Sequence, residues 1–154
     1  MAYLNVGDLA PEFSVNSQDG ETVTLSKFRG DKVILYFYPK ADTPGCTAES
    51  CNLRDNYEDL LNKGFKIIGV SPDKQDKQKK FAEKYNLPFT LLADVEKEVI
   101  KAYGAWGLKK MYGKEYEGLL RTTYVIDEEG KIEKVFPKVK TKDHAAQIIE
   151  AMND

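Results

Sequence analysis

The chain has 154 residues and a formal net charge of −2, long enough for a domain with a proper core and without the basic excess that would favour nucleic acid. No apolar run approaches the ~20 residues of a membrane span, and Met1 to Gly7 show neither the basic start nor the apolar centre of a signal peptide. Two cysteines five residues apart make no secreted disulfide framework, so a cytoplasmic protein free of membranes is expected.

Proline and glycine are scattered, with no linker, repeat or low-complexity run, and residues 1–154 read as one domain. Phe13-Ser14-Val15 and Thr22 to Leu25 flank Asp19-Gly20 as a hairpin. Phe28 to Asp31 turns the chain into Val33 to Tyr38, whose unbroken apolar run predicts a strand buried on both faces. Pro39 has no amide hydrogen and ends the ladder. Thr43-Pro44 reads as a helix start, with Thr at the N-cap, its side-chain oxygen on a first-turn amide, and Pro at the first helical position. That helix is expected to run to about Asn62, with Leu53, Tyr57, Leu60 and Leu61 inward and Gly64 as its stop.

Phe65 to Ser71 is the next buried strand, and Gln75 to Tyr85 a helix that turns Phe81, Ala82 and Tyr85 inward. Its lysines (Lys77, Lys79, Lys80, Lys84) alternate with Asp73, Asp76 and Glu83, the pattern of a solvated face. Phe89 to Leu92 is read as a short strand, Val95 to Ala102 as a helix, and residues 103–120 as irregular and aromatic. Arg121 to Ile126 and Ile132 to Phe136 pair as a hairpin, and Lys142 to Met152 closes the chain as a helix. Strands separated by helices, then a hairpin and a helix, give an α/β protein with a mixed central sheet.

The stretch from Tyr36 to Cys51 carries the chemistry. Cys46 falls in the first turn of its helix, where free amides and the helix dipole favour negative charge and hence the nucleophilic thiolate. A lone cysteine in such a domain is otherwise a small buried hydrophobe. Cys51 lies five residues on, roughly 140° round a regular helix and about 8–9 Å away in Cα position. A disulfide needs Cα atoms within roughly 7 Å, so a Cys46–Cys51 bond requires the first turns to unwind. That suits a catalytic disulfide better than a structural brace; Cys51 as a passive core residue is the alternative.

Pro39-x-x-x-Thr43-x-x-Cys46 followed by Thr47-x-Glu49 resembles the peroxidatic signature of the peroxiredoxins. The second cysteine in the same helix resembles their bacterioferritin-comigratory-protein (Q-type) branch. The similarity continues through Asp8-x-Ala10-Pro11-x-Phe13, Val70-Ser71-Pro72-Asp73, Leu87-Pro88-Phe89, Tyr103-Gly104-x-Trp106 and Arg121-x-Thr123-x-x-Ile126-Asp127. The resemblance implies a thioredoxin-like three-layer sandwich with an N-terminal β-hairpin extension. It implies a thiol peroxidase acting on hydrogen peroxide and organic hydroperoxides, reduced by thioredoxin or a similar dithiol, with no bound cofactor.

On this resemblance Cys46 is the peroxidatic cysteine, oxidised to a sulfenic acid that Cys51 resolves. Thr43 is implied to serve thiolate or peroxide as well as the helix start, its hydroxyl being donor and acceptor together. Arg121, one of three arginines, supplies fixed positive charge that a lysine could lose on desolvation. Pro39 shapes the pocket floor, Glu49 organises the helix start and Trp106 lines the rim; strand termination, dipole charge and loop packing are the plainer readings of these three. His144, the sole histidine, is expected at the surface, and no metal site is expected. A monomer is expected, since no C-terminal resolving cysteine demands a second subunit. The rivals are a thioredoxin-like disulfide reductase, disfavoured by four residues rather than two between the cysteines and by Leu119-Leu120 where a proline would precede Arg121, and a peroxide sensor or redox relay.

Overall fold

The computed structural model describes residues 3–111 and 113–152. It opens with the expected hairpin, β1 (Ser14–Asn16) and β2 (Thr22–Thr24), turned at Gly20 with φ +83°. One 3-10 turn, Leu25–Phe28, leads into β3 (Lys32–Phe37). Then follow α1 (Pro44–Asp55), α2 (Tyr57–Asn62), β4 (Phe65–Ser71), α3 (Gln75–Lys84), β5 (Thr90–Ala93) and α4 (Glu98–Ala102). The remaining elements are β6 (Trp106–Met111), β7 (Lys114–Leu119), β8 (Thr122–Ile126), β9 (Ile132–Phe136) and α5 (His144–Met152).

The main sheet runs β5-β4-β3-β8-β9, with β3, β4 and β5 parallel and β8 and β9 antiparallel additions. β3 is its centre, and its side chains divide the interior by strict alternation. Val33, Leu35 and Phe37 enter one core, roofed by α4 and the N-terminal hairpin through Val99, Ile100, Val15 and Val23. Ile34, Tyr36 and then Tyr38 enter the other, which holds Cys46, Leu53 and Leu60, Phe81 and Ala82 of α3, and Ala145 and Ile148 of α5. This is the three-layer α/β sandwich of the thioredoxin-like class. The exposed edge of β5 is closed by Gln18, whose side chain donates to Phe89 O (3.0 Å) and accepts from Leu91 N (2.9 Å).

Four expectations are corrected. The cysteine helix does not run unbroken to Asn62: Asn56 leaves helical geometry (φ −109°, ψ 9°) and its side-chain amide donates to Asn52 O at 2.8 Å. That local bond competes with the helical ladder and divides α1 from α2. The helix expected from Val95 starts only at Glu98, because Lys97 is left-handed (φ 61°). Asp94 fixes this turn, accepting from Lys97 N through its carbonyl and from Ile100 N through its carboxylate (2.8 Å). The stretch expected to be irregular, 103–120, instead contains β6 and β7 as a separate antiparallel pair, in which Gly107 pairs with Gly118 and Gly113 has φ +78°. Finally Arg121 precedes β8 rather than belonging to it.

Candidate active site

The Tyr38 amide still bonds to Val70 O (3.0 Å), and Pro39 then ends the pairing with β4. The chain leaves the sheet over a loop held from outside. Ala41 N donates to Asp73 Oδ2 at 2.7 Å, and Ser71 Oγ donates to the same oxygen at 2.8 Å. Behind them, Gln78 donates from Nε2 to Ser71 Oγ (2.9 Å) and Leu92 O (2.8 Å), and its Oε1 accepts the Tyr38 hydroxyl. Val70-Ser71-Pro72-Asp73 is therefore a support for the signature loop. Asp42 takes a left-handed φ of 61°, and its carboxylate receives Lys84 Nζ (2.8 Å) and the Tyr85 hydroxyl (2.6 Å).

Thr43 occupies the N-cap position with extended backbone, Pro44 follows at the first helical position, and Thr47 N bonds to Thr43 O at 2.8 Å. The expected side-chain cap is not made. Thr43 Oγ1 instead donates back to Lys40 O at 2.7 Å, closing the loop on itself and leaving its lone pairs free to accept.

Cys46, third in α1, is fully buried, and Arg121 Nη2 donates to its Sγ at 3.3 Å. The other guanidinium nitrogen, Nη1, donates to Glu49 Oε1 at 2.8 Å. Cys46 and Glu49 are three apart on one helix face, so a single planar fork spans both. Gly45 makes the approach possible: a Cβ there would lie 3.2 Å from Arg121 Nη2. Burial works against the charge of Arg121, but Cys46 and Glu49 outweigh it and hold its pKa above the ordinary value.

Glu49 is fully buried, and burial pushes its carboxyl up to about 7 although Arg121 pulls the other way. Its second oxygen, Oε2, has no hydrogen-bond partner; with Thr122 Oγ1 it is one of two such buried side-chain oxygens among the described residues. Oε2 faces His144 Nε2 at 3.7 Å. His144 is thus not at the surface: it is fully buried, between Thr123 Oγ1 (2.8 Å from Nε2) and Gln147 Oε1 (2.9 Å from Nδ1). Burial lowers its pKa to about 4, against the Gln147 bond and with Arg121 adding to the effect. His144, Ile148 and Met152 recur every four residues on α5, and that inward stripe was the available sign.

Cys51 lies five residues from Cys46 in the same unbroken α1, half-buried, and both thiols are free. Burial raises the Cys51 pKa, Arg54 partly opposes this and Asp55 adds to it. The structure thus brings together Cys46, Glu49 and Arg121, with Thr43 and Pro39 on the same loop and helix start. Trp106 packs against the opposite core and pairs with Leu119, two residues before Arg121, with Lys97 Nζ 5.3 Å from its ring centre. A cleft of about 560 Å³ beside the loop is lined by Lys40, Lys77, Lys80, Phe81 and Lys84, and Cys46 is not part of its wall.

The model of the AhpC/TSA family matches residues 6–135. The chain is 48% identical to peroxiredoxin Bcp of Bacillus subtilis, over 98% of this chain and 96% of the relative. It is 50% identical to peroxiredoxin Bcp of Escherichia coli, over 92% and 90%. Among solved structures, Xanthomonas campestris bacterioferritin comigratory protein, studied for its alkyl peroxide reduction activity, superposes with a TM-score of 0.86 at 30% identity, covering 92% of this chain and 90% of that one.

Proposed function

The chain belongs to the AhpC/TSA family and is a peroxiredoxin of the Bcp type, a thiol peroxidase; within that frame we propose that Cys46 is the peroxidatic cysteine, Cys51 the resolving one and Arg121 the residue that activates the sulfur. The observation that carries this is the contact of Arg121 Nη2 with a buried Cys46 Sγ at a helix start, 3.3 Å apart. The guanidinium stabilises the thiolate and then the oxygen that develops charge as the O–O bond breaks. The thiolate forms an S–O bond to one peroxide oxygen, and the other oxygen leaves as alkoxide or hydroxide and is protonated to alcohol or water. Thr43 Oγ1, its hydrogen committed to Lys40 O, offers lone pairs to the hydroperoxide O–H and orients it. Pro39 borders the same pocket, and Glu49 holds the far nitrogen of Arg121.

The sulfenic acid then condenses with the Cys51 thiol, releasing water and leaving an intramolecular disulfide. Within intact α1 the two sulfurs point to different sides, so this step unwinds the first turns of the helix. Sulfur carries both electrons, and a dithiol protein of the thioredoxin type returns them. Hydrogen peroxide and organic hydroperoxides are the substrates. Both cysteines lie on one helix, so the cycle closes within a monomer. No described helix is long and apolar enough to cross a membrane, and the reading places the enzyme in the cytoplasm.

The test is intact mass after one equivalent of hydrogen peroxide. Wild type is expected to lose two hydrogens, Cys51→Ser to gain one oxygen, and Cys46→Ser to show no fast reaction. A wild type that gains oxygen and keeps Cys51 free would overturn the two-cysteine cycle. Thioredoxin dependence is read separately, as steady peroxide consumption with catalytic amounts of the chain.

A further inference from the structure

The catalytic face contains two acids and one cation. Arg121 lies between Cys46 and Glu49, 3.3 Å from the sulfur and 2.8 Å from Oε1. If both acids were ionised, the buried cluster would carry a net negative charge. The remaining neighbours supply no second cation: Tyr36 faces Glu49 from β3, its hydroxyl bonded to Ser50 Oγ (2.9 Å) and its own pKa raised, and Thr123 is neutral. The group left to decide the balance is His144, on the orphan side of the carboxylate.

Its protonation can be read from the hydrogen bonds. Gln147 Nε2 donates to Lys138 O (2.8 Å), and Gln147 Oε1 accepts from Lys140 N (3.0 Å), which fixes the orientation of that amide. His144 Nδ1 must therefore donate to Gln147 Oε1, and Nε2 is free to accept from the Thr123 hydroxyl. Nδ1 carries a proton, and burial, which lowers the pKa of the ring, keeps a second one off Nε2 and leaves the ring neutral. Its position as the first residue of α5 supports this, since the N-terminal end of a helix disfavours a cation. Phe136 closes the other side, its ring edge-on to the imidazole with centres 6.0 Å apart. Glu49 Oε2 thus receives no donor from any side, and an oxygen in that situation is the one that can carry a proton itself.

We propose that Glu49 and His144 form a buried proton-holding pair that regulates Arg121: Glu49 keeps a proton on Oε2 while Cys46 is a thiolate, and neutral His144 withholds the second cation that would ionise Glu49. The guanidinium charge then falls on the sulfur. Both are positioning residues, since neither is placed to touch the peroxide. This deepens the reading of Cys46 and Arg121 given above and rests on it for its catalytic consequence. Burial, opposed by Arg121, pushes Glu49 up to about 7, so its proton leaves within the neutral range.

As His144 is the only histidine, one imidazole is visible in ¹H–¹⁵N spectra, and its titration decides the matter. In reduced wild type the ring is expected to remain the neutral Nδ1–H tautomer from about pH 5.5 to about 8.5. Its shifts should nevertheless move through one step near pH 7, reporting the loss of the Glu49 proton. In Glu49→Gln that step should vanish. In Cys46→Ser, with the competing thiolate gone, it should move down by about one pH unit.

A ring that itself protonates in the neutral range, a flat wild-type signal, or a step that survives Glu49→Gln or vanishes in Cys46→Ser would overturn the proposal. A flat wild-type signal, or a ring that protonates in the neutral range, overturns it even if a variant fails to fold. The intact-mass experiment does not depend on these spectra, so failure of the proton pair and failure of the cysteine cycle are distinguishable.

Discussion

The two faces of the central sheet are built from alternate residues of one strand, and they do different work. Under α4 and the N-terminal hairpin, Val33, Leu35 and Phe37 meet Phe13, Tyr103 and Tyr124, whose rings pack mostly edge-to-face. The hydroxyls there end on backbone carbonyls, Tyr103 on Pro11 O and Tyr124 on Tyr103 O, both at 2.6 Å. Under α1 and α5 the core holds Cys46, Glu49 and His144, and Tyr36 and Tyr38 turn their hydroxyls to Ser50 and Gln78. Even close packing serves the polar side here: Gly69 has no side chain because a Cβ would fall 2.8 Å from the Tyr36 ring. One face stabilises the fold, and the other accepts buried charge in order to hold a reactive sulfur.

The largest break in that comparison is Arg121→Lys. Lysine can place charge near the site but cannot span Cys46 and Glu49 with one planar fork. The rate of Cys46 oxidation by peroxide should fall by about 10²–10³-fold, on the scale of losing one fixed transition-state donor, equivalent to ~3–4 kcal/mol. The unfolding midpoint should change little, as the side chain is partly exposed (24%). Near-wild-type oxidation in stopped flow would show that the fork is dispensable.

Leu35→Ala acts on the opposite face and should separate stability from chemistry. Leu35 is fully buried in the apolar core, and its truncation should cost about 3 kcal/mol. Peroxide turnover per folded molecule should stay at the wild-type level. Denaturant unfolding and turnover measured on the same sample test both halves; a parallel loss of turnover would mean the faces are coupled through β3.

The contrast also explains what was legible beforehand. β3, β4 and the first turn of α1 follow from residues close in sequence: an apolar run, a proline that ends it, and a Thr-Pro start. Cys46 at that start could be placed from these alone. The break at Asn56, the left-handed Lys97 and the pairing of β6 with β7 could not, because each turns on a hydrogen bond or register that propensity does not specify. The Thr43 hydroxyl pointed to Lys40 O rather than into the helix for the same reason: a loop carbonyl that accepts and the first-turn amides that donate lie to different sides of it. His144 was harder still. Its burial comes from β8, β9 and α1 together, and only its place in the Ile148 stripe betrayed it.

The smallest effect sharpens the comparison most, because it concerns stability on the chemical face. His144 has its pKa lowered from 6.5 to about 4, so its contribution to stability is complete above pH 6.5 and is lost as pH falls towards 4. Glu49 has its pKa raised from 4.5 to about 7, so its contribution is complete below pH 4.5 and is lost as pH rises towards 7. Between 4.5 and 6.5 the pair therefore holds one proton in either state, on Glu49 when folded and on His144 when unfolded. The two slopes cancel there, and these residues leave wild-type stability level. Each single variant should expose the slope of the other. Glu49→Gln should lose on the order of 2 kcal/mol as pH falls through the His144 window, and His144→Gln a similar amount as pH rises through the Glu49 window. Urea midpoints across this range check both signs. Variants as level as wild type would mean that folding moves no proton between these two side chains, and that the buried charge is balanced by Arg121 alone.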